Sequence, residues 1–285
     1  MDYIKPHDVV ATMLAAANTK AGLPVKDLLL RGALSGALLA VSTSLALTAA
    51  LQTNLPLVGA VIFPVGFVMI ILLGLELVTG SFAVTTLAAV DGRRSWSQVT
   101  MNLCWVFVGN LIGSVAYGVL LYVVLTGMGT EAPSGIATKI IALAEAKTNA
   151  YAAHGVAGMI TVFVKAVLCN WLVCLGVVMG LTSQSTLGKI AAAWLPIFTF
   201  FAQGFEHSVV NMFVIPTGML LGAKVTFSSW WLWNQIPVTL GNLAGGLLLT
   251  GLCLYWTYRP ASAAPAAAAA DGAGALAPSG EPARA

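Results

Sequence analysis

The sequence predicts an all-α integral membrane protein with six transmembrane helices in an inverted 3+3 repeat, whose second and fifth helices are broken. Three observations support this prediction. Of the 285 residues, 59% are hydrophobic and 8% are charged, and the mean hydropathy is +0.91, whereas about a quarter of an average soluble domain is charged. Six apolar stretches are each long enough to cross a bilayer. Short motifs also recur between the two halves of the chain.

The apolar stretches run over 32–51, 57–90, 103–125, 155–182, 190–223 and 236–257. The second and fifth are too long, because about 34 helical residues would reach about 50 Å and the hydrocarbon is about 30 Å thick. We therefore expect both helices to break. Residues 1–31 are expected to form a cytoplasmic N-terminal segment, 32–258 the six-helix transmembrane domain, and the Ala- and Pro-rich residues 259–285 a disordered cytoplasmic tail.

Charge sets the expected orientation and excludes one class of function. Most Lys and Arg residues fall on one side of a six-span arrangement, and this side is normally cytoplasmic, so both termini should be cytoplasmic. The chain has no basic run of the kind that nucleic acid binding requires. Its four cysteines lie in apolar stretches and are interpreted as small hydrophobic residues, not as disulfides or metal ligands.

The repeat rests on two pairs of motifs. GNLIG at 109–113 recurs as GNLAG at 241–245, and GLE at 74–76 recurs as GFE at 204–206, in each case after about 130 residues. With three spans in each half, the two copies must insert in opposite senses. In such an arrangement the substrate path lies near the middle of the bilayer.

Few ionisable residues lie inside the spans, where they are costly unless they face protein or water. Glu76 and Glu206 occupy matching positions at the two expected breaks, where we expect them to cap the exposed amides or to fix the loop. His207 lies next to Glu206 and is expected opposite Thr79, and it could titrate near neutral pH in contact with a solute. Lys165 is interpreted as an anchor whose side chain reaches the interface.

Six sequence motifs together resemble those of a known protein family. They are GLELVTGSF (74–82), VGNLIGS (108–114), AEAK (144–147), VKAVLCNWLVCLGV (164–177), GFEHSVVNMFVIPTG (204–218) and VTLGNLAGG (238–246). Over about residues 5–258 the chain resembles the formate/nitrite transporters, which are pentameric membrane channels with an aquaporin-like fold. The chain departs from the enterobacterial formate channels at Val78, where they have phenylalanine, and at Phe67, where they have leucine.

The resemblance implies a role for particular residues. The substrate pathway would include His207, Thr79, Asn170, Val173 and the external vestibule residue Lys147. The constriction would be formed by Phe63, Phe67, Phe200, Leu77 and Val78, and the loops would be structured by Glu76, Glu206 and Asn211. The expected cargo is a small monovalent anion, formate first and nitrite or another weak-acid anion as the alternative. The family further implies a homopentamer in lipid of the bacterial inner membrane, with no cofactor, no metal and no enzymatic activity.

Physical chemistry suggests how such a pore would work. An ion crossing apolar rings loses its hydration at a high cost, whereas its neutral acid does not. We therefore expect the anion to be neutralised between the rings, by a proton taken from His207 or through His207 from water, so that anion and proton cross together. A plain anion channel remains the alternative to this symport.

Two other classes of membrane protein agree less well with the sequence. A neutral-solute channel similar to aquaporins would carry paired Asn-Pro-Ala motifs at the breaks, where this chain has ELVTG and EHSVV. An intramembrane metal hydrolase would need about three protein ligands, and His7 and His154 are expected outside the membrane. Both classes are disfavoured.

Overall fold

The computed structural model describes residues 2–259, which fold into helices and connecting turns without a strand. The all-α prediction agrees with this. One isolated bridge joins Tyr3 to Ser183 within the described part of the chain. The tail expected over 259–285 lies, apart from Arg259, outside the described residues.

The first half of the chain contains seven helices, α1 to α7. They are α1 (Pro6–Ala21), α2 (Val25–Thr53), α3 (Pro56–Ile62), α4 (Pro64–Leu72), α5 (Val78–Val84), α6 (Leu87–Val90) and α7 (Trp96–Thr126). The α3–α4 pair forms one apolar segment, Pro56–Leu72, and the α5–α6 pair another, Val78–Val90. Pro56 and Pro64 occupy the first turns of α3 and α4, where a missing N–H costs nothing.

The described part of the second half contains eight helices and two π-helical stretches. Its helices are α8 (Ile136–Ala146), α9 (Asn149–Ala153), α10 (Gly155–Leu181), α11 (Thr186–Ala202), α12 (Ser208–Leu220), α13 (Phe227–Trp230), α14 (Ile236–Ala244) and α15 (Cys253–Tyr258). Two π-helical stretches, Trp231–Gln235 and Gly245–Leu252, join the last three into one rod. The helices α1, α8 and α9 and the two π-helical stretches are not predicted from the sequence.

Four helices in the described residues are long and apolar enough to cross a membrane: α2, α7, α10 and the rod Phe227–Tyr258. Four shorter apolar segments form two further pairs, separated by breaks at 73–77 and 203–207. The breaks fall inside the two over-long stretches, as the length argument predicts. The helix ends differ from the expected ones, because α2 begins at Val25, directly after Pro24, and α7 begins at Trp96, after a capping box made by Ser95 and Gln98.

Glycines bring the long helices into close contact. A Cβ on Gly113 of α7 would overlap the carbonyl oxygen of Ala33 on α2, and a Cβ on Gly245 would overlap that of Val167 on α10. The small residues of the two GNL motifs therefore form tight helix interfaces. These two interfaces, α2 against α7 and α10 against α14, hold the helices between which the breaks lie.

Candidate functional site

The two breaks have the same backbone path. Each opens with a glycine in the left-handed region, Gly74 at φ +62° and Gly204 at φ +64°, which a residue without Cβ adopts at little cost. Each closes with an extended residue, Leu77 (φ −113°, ψ 117°) before α5 and His207 (φ −116°, ψ 121°) before α12. An apolar side chain in one break therefore corresponds to an imidazole in the other.

Buried asparagines of the GNL motifs hold both breaks in place. Asn110 accepts from the Val78 amide (2.9 Å) and donates to the carbonyl oxygens of Gly32 and Glu76 (both 2.9 Å). Asn242 makes the matching bonds. It accepts from the Ser208 amide (2.8 Å) and donates to the carbonyl oxygens of Ala166 (2.8 Å) and Glu206 (2.9 Å). Each asparagine thus caps the first amide of a half-helix and fixes the loop before it.

Asparagines, and not the two glutamates, cap the first amides of the half-helices. The Glu206 carboxylate instead accepts from Lys147 Nζ (2.8 Å), Tyr151 Oη (2.9 Å) and Asn211 Nδ2 (2.8 Å). The Asn211 amide is also linked to Asn234, since its Nδ2 lies 2.8 Å from Asn234 Oδ1. Glu206 and Asn211 therefore connect the second break to side chains on α8, α9 and the last rod.

Glu76 has a similar partner at the other break. Lys20 Nζ of α1 donates to Glu76 Oε2 over 2.7 Å, and Ser81 Oγ lies 3.5 Å from the same oxygen. Sequence patterns alone do not reveal Lys20 as the partner of Glu76. They also do not reveal functional side chains at Tyr151, Asn110, Asn234 and Asn242. The repeat of the GNL motif was the available signal for Asn110 and Asn242.

His207 and Thr79 meet where the breaks come together. His207 Nε2 lies 3.0 Å from Thr79 Oγ1, and both residues are buried. The other ring nitrogen, Nδ1, accepts from the Val210 amide over 3.2 Å. Because an acceptor nitrogen carries no proton, the neutral imidazole holds its hydrogen on Nε2 and donates it to Thr79. The Thr79 hydroxyl is then free to donate its own hydrogen elsewhere.

Apolar side chains surround this polar pair. The Phe200 ring stacks on the His207 ring with centroids 5.6 Å apart, and Phe63 meets Phe200 edge-on at the same separation. Phe201 stacks on Phe63 at 4.0 Å. A charged solute passing here would find little to replace its water.

Asn170 and Val173 of α10 are also fully buried. Asn170 Nδ2 donates to the carbonyl oxygens of Thr79 (3.0 Å) and Asn242 (2.6 Å), and Cys174 Sγ lies 3.3 Å from the same Thr79 oxygen. Asn170 thus ties the start of α5 to the last rod. The site residues expected from the resemblance therefore gather around the breaks.

A cavity of about 360 Å³ opens on the α1 side of the breaks. Phe67 and Leu77 are among the residues that line it. Lys20, Arg31 and Lys189 line the cavity together with Glu76. Lys20 is paired with Glu76 and Arg31 with Asp27, so Lys189 leaves this cavity, the α1 cavity, with a net positive charge that attracts anions.

Among residues 2–259 no three His, Cys, Asp or Glu side chains are grouped closely enough to hold a metal ion. An all-helical, multi-pass apolar fold with a buried polar pair between two broken helices defines a membrane transport protein. The model of the family described as "Formate/nitrite transporter" matches residues 7–256. The chain belongs to this family, whose members are transporters and channels and not enzymes.

Relatives and solved structures agree with the family assignment. The chain is 39% identical to a "Probable formate transporter" of Methanothermobacter thermautotrophicus, over 89% of this chain and 96% of that protein. A solved "FNT family ion channel" superposes with a TM-score of 0.76 at 31% identity, over 89% of this chain and 99% of that one. A "Pentameric formate channel with formate bound" shares the fold, with a TM-score of 0.68 at 24% identity over 83% of this chain and 98% of that chain.

Proposed function

We propose that this chain carries formate, together with a proton, across the bacterial inner membrane. The observation that carries the proposal is the His207–Thr79 hydrogen bond, buried between apolar rings where the two breaks meet. The names of the relatives support formate as the cargo. Nitrite and other small weak-acid anions share the monovalent charge and are the alternative cargo.

The path runs from the α1 cavity, past Phe67 and Leu77, to the His207–Thr79 pair and on to Lys147. Lysine side chains near both ends draw the anion in. Between the ends, the edge-on pair of Phe63 and Phe200 makes passage of a charged species costly. The cargo therefore crosses this region as the neutral acid. Asn170 and Val173 complete the wall of this region. Val78, at the start of α5, contributes to the constriction.

The hydrogen bonds of His207 favour one of the two proton routes. Giving up a proton from a doubly protonated ring would require Nδ1 to carry hydrogen, which would break its bond with the Val210 amide. Neutral His207 instead donates to Thr79, and the Thr79 hydroxyl donates to the anion. This hydrogen bond holds the anion while it takes a proton from a hydronium ion of the adjoining water, which leaves as water, and the neutral acid moves on.

The recurring contacts support an inverted 3+3 repeat of six spans. The Asn110 and Asn242 bonds, the two lysine–glutamate pairs and the matched glycines all recur at equivalent positions. The cations of the α1 cavity favour a cytoplasmic location for that side and for both termini. A homopentamer, as in the channel named above, would cover part of the exposed apolar helix surface.

Flux in proteoliposomes tests the proposal. We expect wild type to take up formate faster when the outside is acidic. His207→Leu removes the donor to Thr79 and should slow uptake, whereas His207→Asn keeps a donor and should retain the pH dependence. Thr79→Val removes the hydroxyl and leaves the Nε2–H unpaired, at a cost of about 1–3 kcal/mol, or about 5- to 150-fold in rate. Thr79→Ser is the matched control and should stay close to wild type.

Three outcomes would count against the proposal. Uptake that ignores the pH gradient and carries full electrical current would mean that the anion crosses charged. Equal flux in Thr79→Val and Thr79→Ser would remove the hydroxyl from the mechanism. Uptake of nitrite but not formate would reassign the cargo and leave the path intact.

A further inference from the structure

A buried asparagine lies behind each of the two lysines that pair with the break glutamates. Asn102 Nδ2 on α7 donates to the Lys20 carbonyl oxygen over 2.8 Å, and Asn234 Nδ2 in the first π stretch donates to the Lys147 carbonyl oxygen over 2.8 Å. Both asparagines are almost fully buried. Each precedes the capping asparagine of its half, Asn110 or Asn242, by the same number of residues.

The two lysines also share a setting. Lys20 lies in the last turn of α1, and Lys147 is the C-cap of α8. The last carbonyls of a helix lack partners within it, so an outside donor can fix the backbone there. A lysine side chain is long and flexible, and anchoring its backbone limits the positions that its ammonium can reach. The hydrogen bond to the carbonyl therefore acts on the charge through the main chain.

Besides Tyr151, which donates to Glu206, the two clusters differ in one further side chain. At the Lys147 cluster, Asn211 bridges Glu206 to Asn234 Oδ1 with two bonds of 2.8 Å. The matching position in the other half is Ser81, which approaches Glu76 only to 3.5 Å. Asn102 Oδ1 has no hydrogen-bond partner among the described residues. The Lys20 cluster thus lacks the bridge that closes the Lys147 cluster.

We propose that Asn102 and Asn234 are positioning residues that hold Lys20 and Lys147 against the break carboxylates, and that Ser81 leaves Lys20 the less firmly held of the two. The greater exposure of the Lys20 side chain, 25% against 17% for Lys147, agrees with this difference. The effect on transport rests on the proposed function, whereas the positioning itself does not.

Acetylation of individual lysines, followed by mass spectrometry on the full-length protein in detergent, tests the positioning directly. Asn102→Leu keeps the approximate size and removes the donor, so Lys20 should react about fivefold faster while Lys147 is unchanged. Asn234→Leu should do the reverse. The exposed Lys26 and Lys139 give the reference rates in the same sample.

A gain of function provides a second arm. Ser81→Asn restores the missing bridge, so acetylation of Lys20 should slow about fivefold. This variant keeps the proposal falsifiable if Asn102→Leu does not fold. General loosening of the protein would raise the rates at both lysines together, and this outcome would overturn the positioning role. An unchanged Lys20 rate in both Asn102→Leu and Ser81→Asn would overturn it as well.

Formate flux then connects positioning to transport. Asn102→Leu should slow uptake about fivefold, as Lys20→Met does, and the double variant should be no slower than Lys20→Met alone. Additive losses would mean that Asn102 acts on transport by another route and would contradict the proposal. If wild type moves no formate at all, the proposed function fails, and the acetylation rates still decide the positioning on their own.

Discussion

The Lys147–Glu206 pair allows a quantitative test of what stabilises the second break. Nζ and Oε2 are 2.8 Å apart, and the two side chains are 17% and 3% exposed. Removing one partner of a buried pair costs about 3–5 kcal/mol, because the other charge stays buried. In Lys147→Met the Glu206 carboxylate keeps its bonds from Tyr151 and Asn211, so we expect the lower end, about 3 kcal/mol.

The reverse substitution should be milder. Glu206→Gln leaves the lysine uncompensated, but its ammonium can turn toward solvent, so we expect about 2 kcal/mol. In the double variant neither charge remains, and the total loss should be about 2 kcal/mol less than the sum of the single losses. Thermal unfolding in detergent measures this coupling, at about 2–4 °C for each kcal/mol.

The exposed pair Arg31–Asp27 is the control for this cycle. Its side chains are 42% and 37% exposed and its closest atoms are 3.4 Å apart, so the same cycle with Arg31→Met and Asp27→Asn should give a coupling below about 0.5 kcal/mol. Additive losses at Lys147 and Glu206 would refute the reasoning, because they would show that the two charges do not compensate each other. A coupling equal to that of the control pair would refute it equally.

Three further results are expected. Asn242→Ala removes three buried hydrogen bonds and should destabilise the protein by about 3 kcal/mol and slow formate uptake; wild-type unfolding temperature and flux would contradict this. Gly113→Ala drives a Cβ into the facing helix and should cost about 1–3 kcal/mol in thermal unfolding, whereas Gly180→Ala meets only ordinary contacts and should cost nothing; equal shifts would argue against close packing. Hydrogen bonds from the Ser183 and Ser185 hydroxyls hold the pKa of Asp2 below 3.8, so the tether of the N-terminus is complete above that pH and weakens as the pH falls below it. Hydrogen exchange before α1 should therefore be faster in Asp2→Asn at pH 7, and the two proteins should converge only in strong acid.

Several features of the fold could be predicted from the sequence because they follow from length and composition. Segments of about 34 apolar residues cannot cross hydrocarbon as straight helices, and glycine with glutamate at 74–76 and 204–206 located both interruptions. Helix ends were less predictable. The extension of α2 back to Val25 depends on Pro24 as its N-cap, and the π turns of the last rod depend on how it packs against α10 and α5.

At the site, residue types were more predictable than partners. The expected placement of His207 opposite Thr79 agrees with the structure. The partner of Glu76 could not be read from the sequence, because Lys20 lies on a separate helix and nothing in the spacing links the two. The sequence also leaves open whether the carboxylates cap the amides. It does not show that Asn110 and Asn242 reach the breaks from neighbouring helices.

The difference between the two breaks is informative because so much else is equal. Both have a left-handed glycine, an asparagine cap and a lysine–glutamate pair, and each of these explains how a helix can be interrupted at depth. None of them requires an imidazole, since Leu77 closes the first break with the same backbone angles as His207 closes the second. The backbone path of the break therefore does not require His207, although its Nδ1 accepts from the Val210 amide and so caps α12. This cap does not explain the bond between Nε2 and Thr79, which agrees with the solute-binding role proposed for the pair.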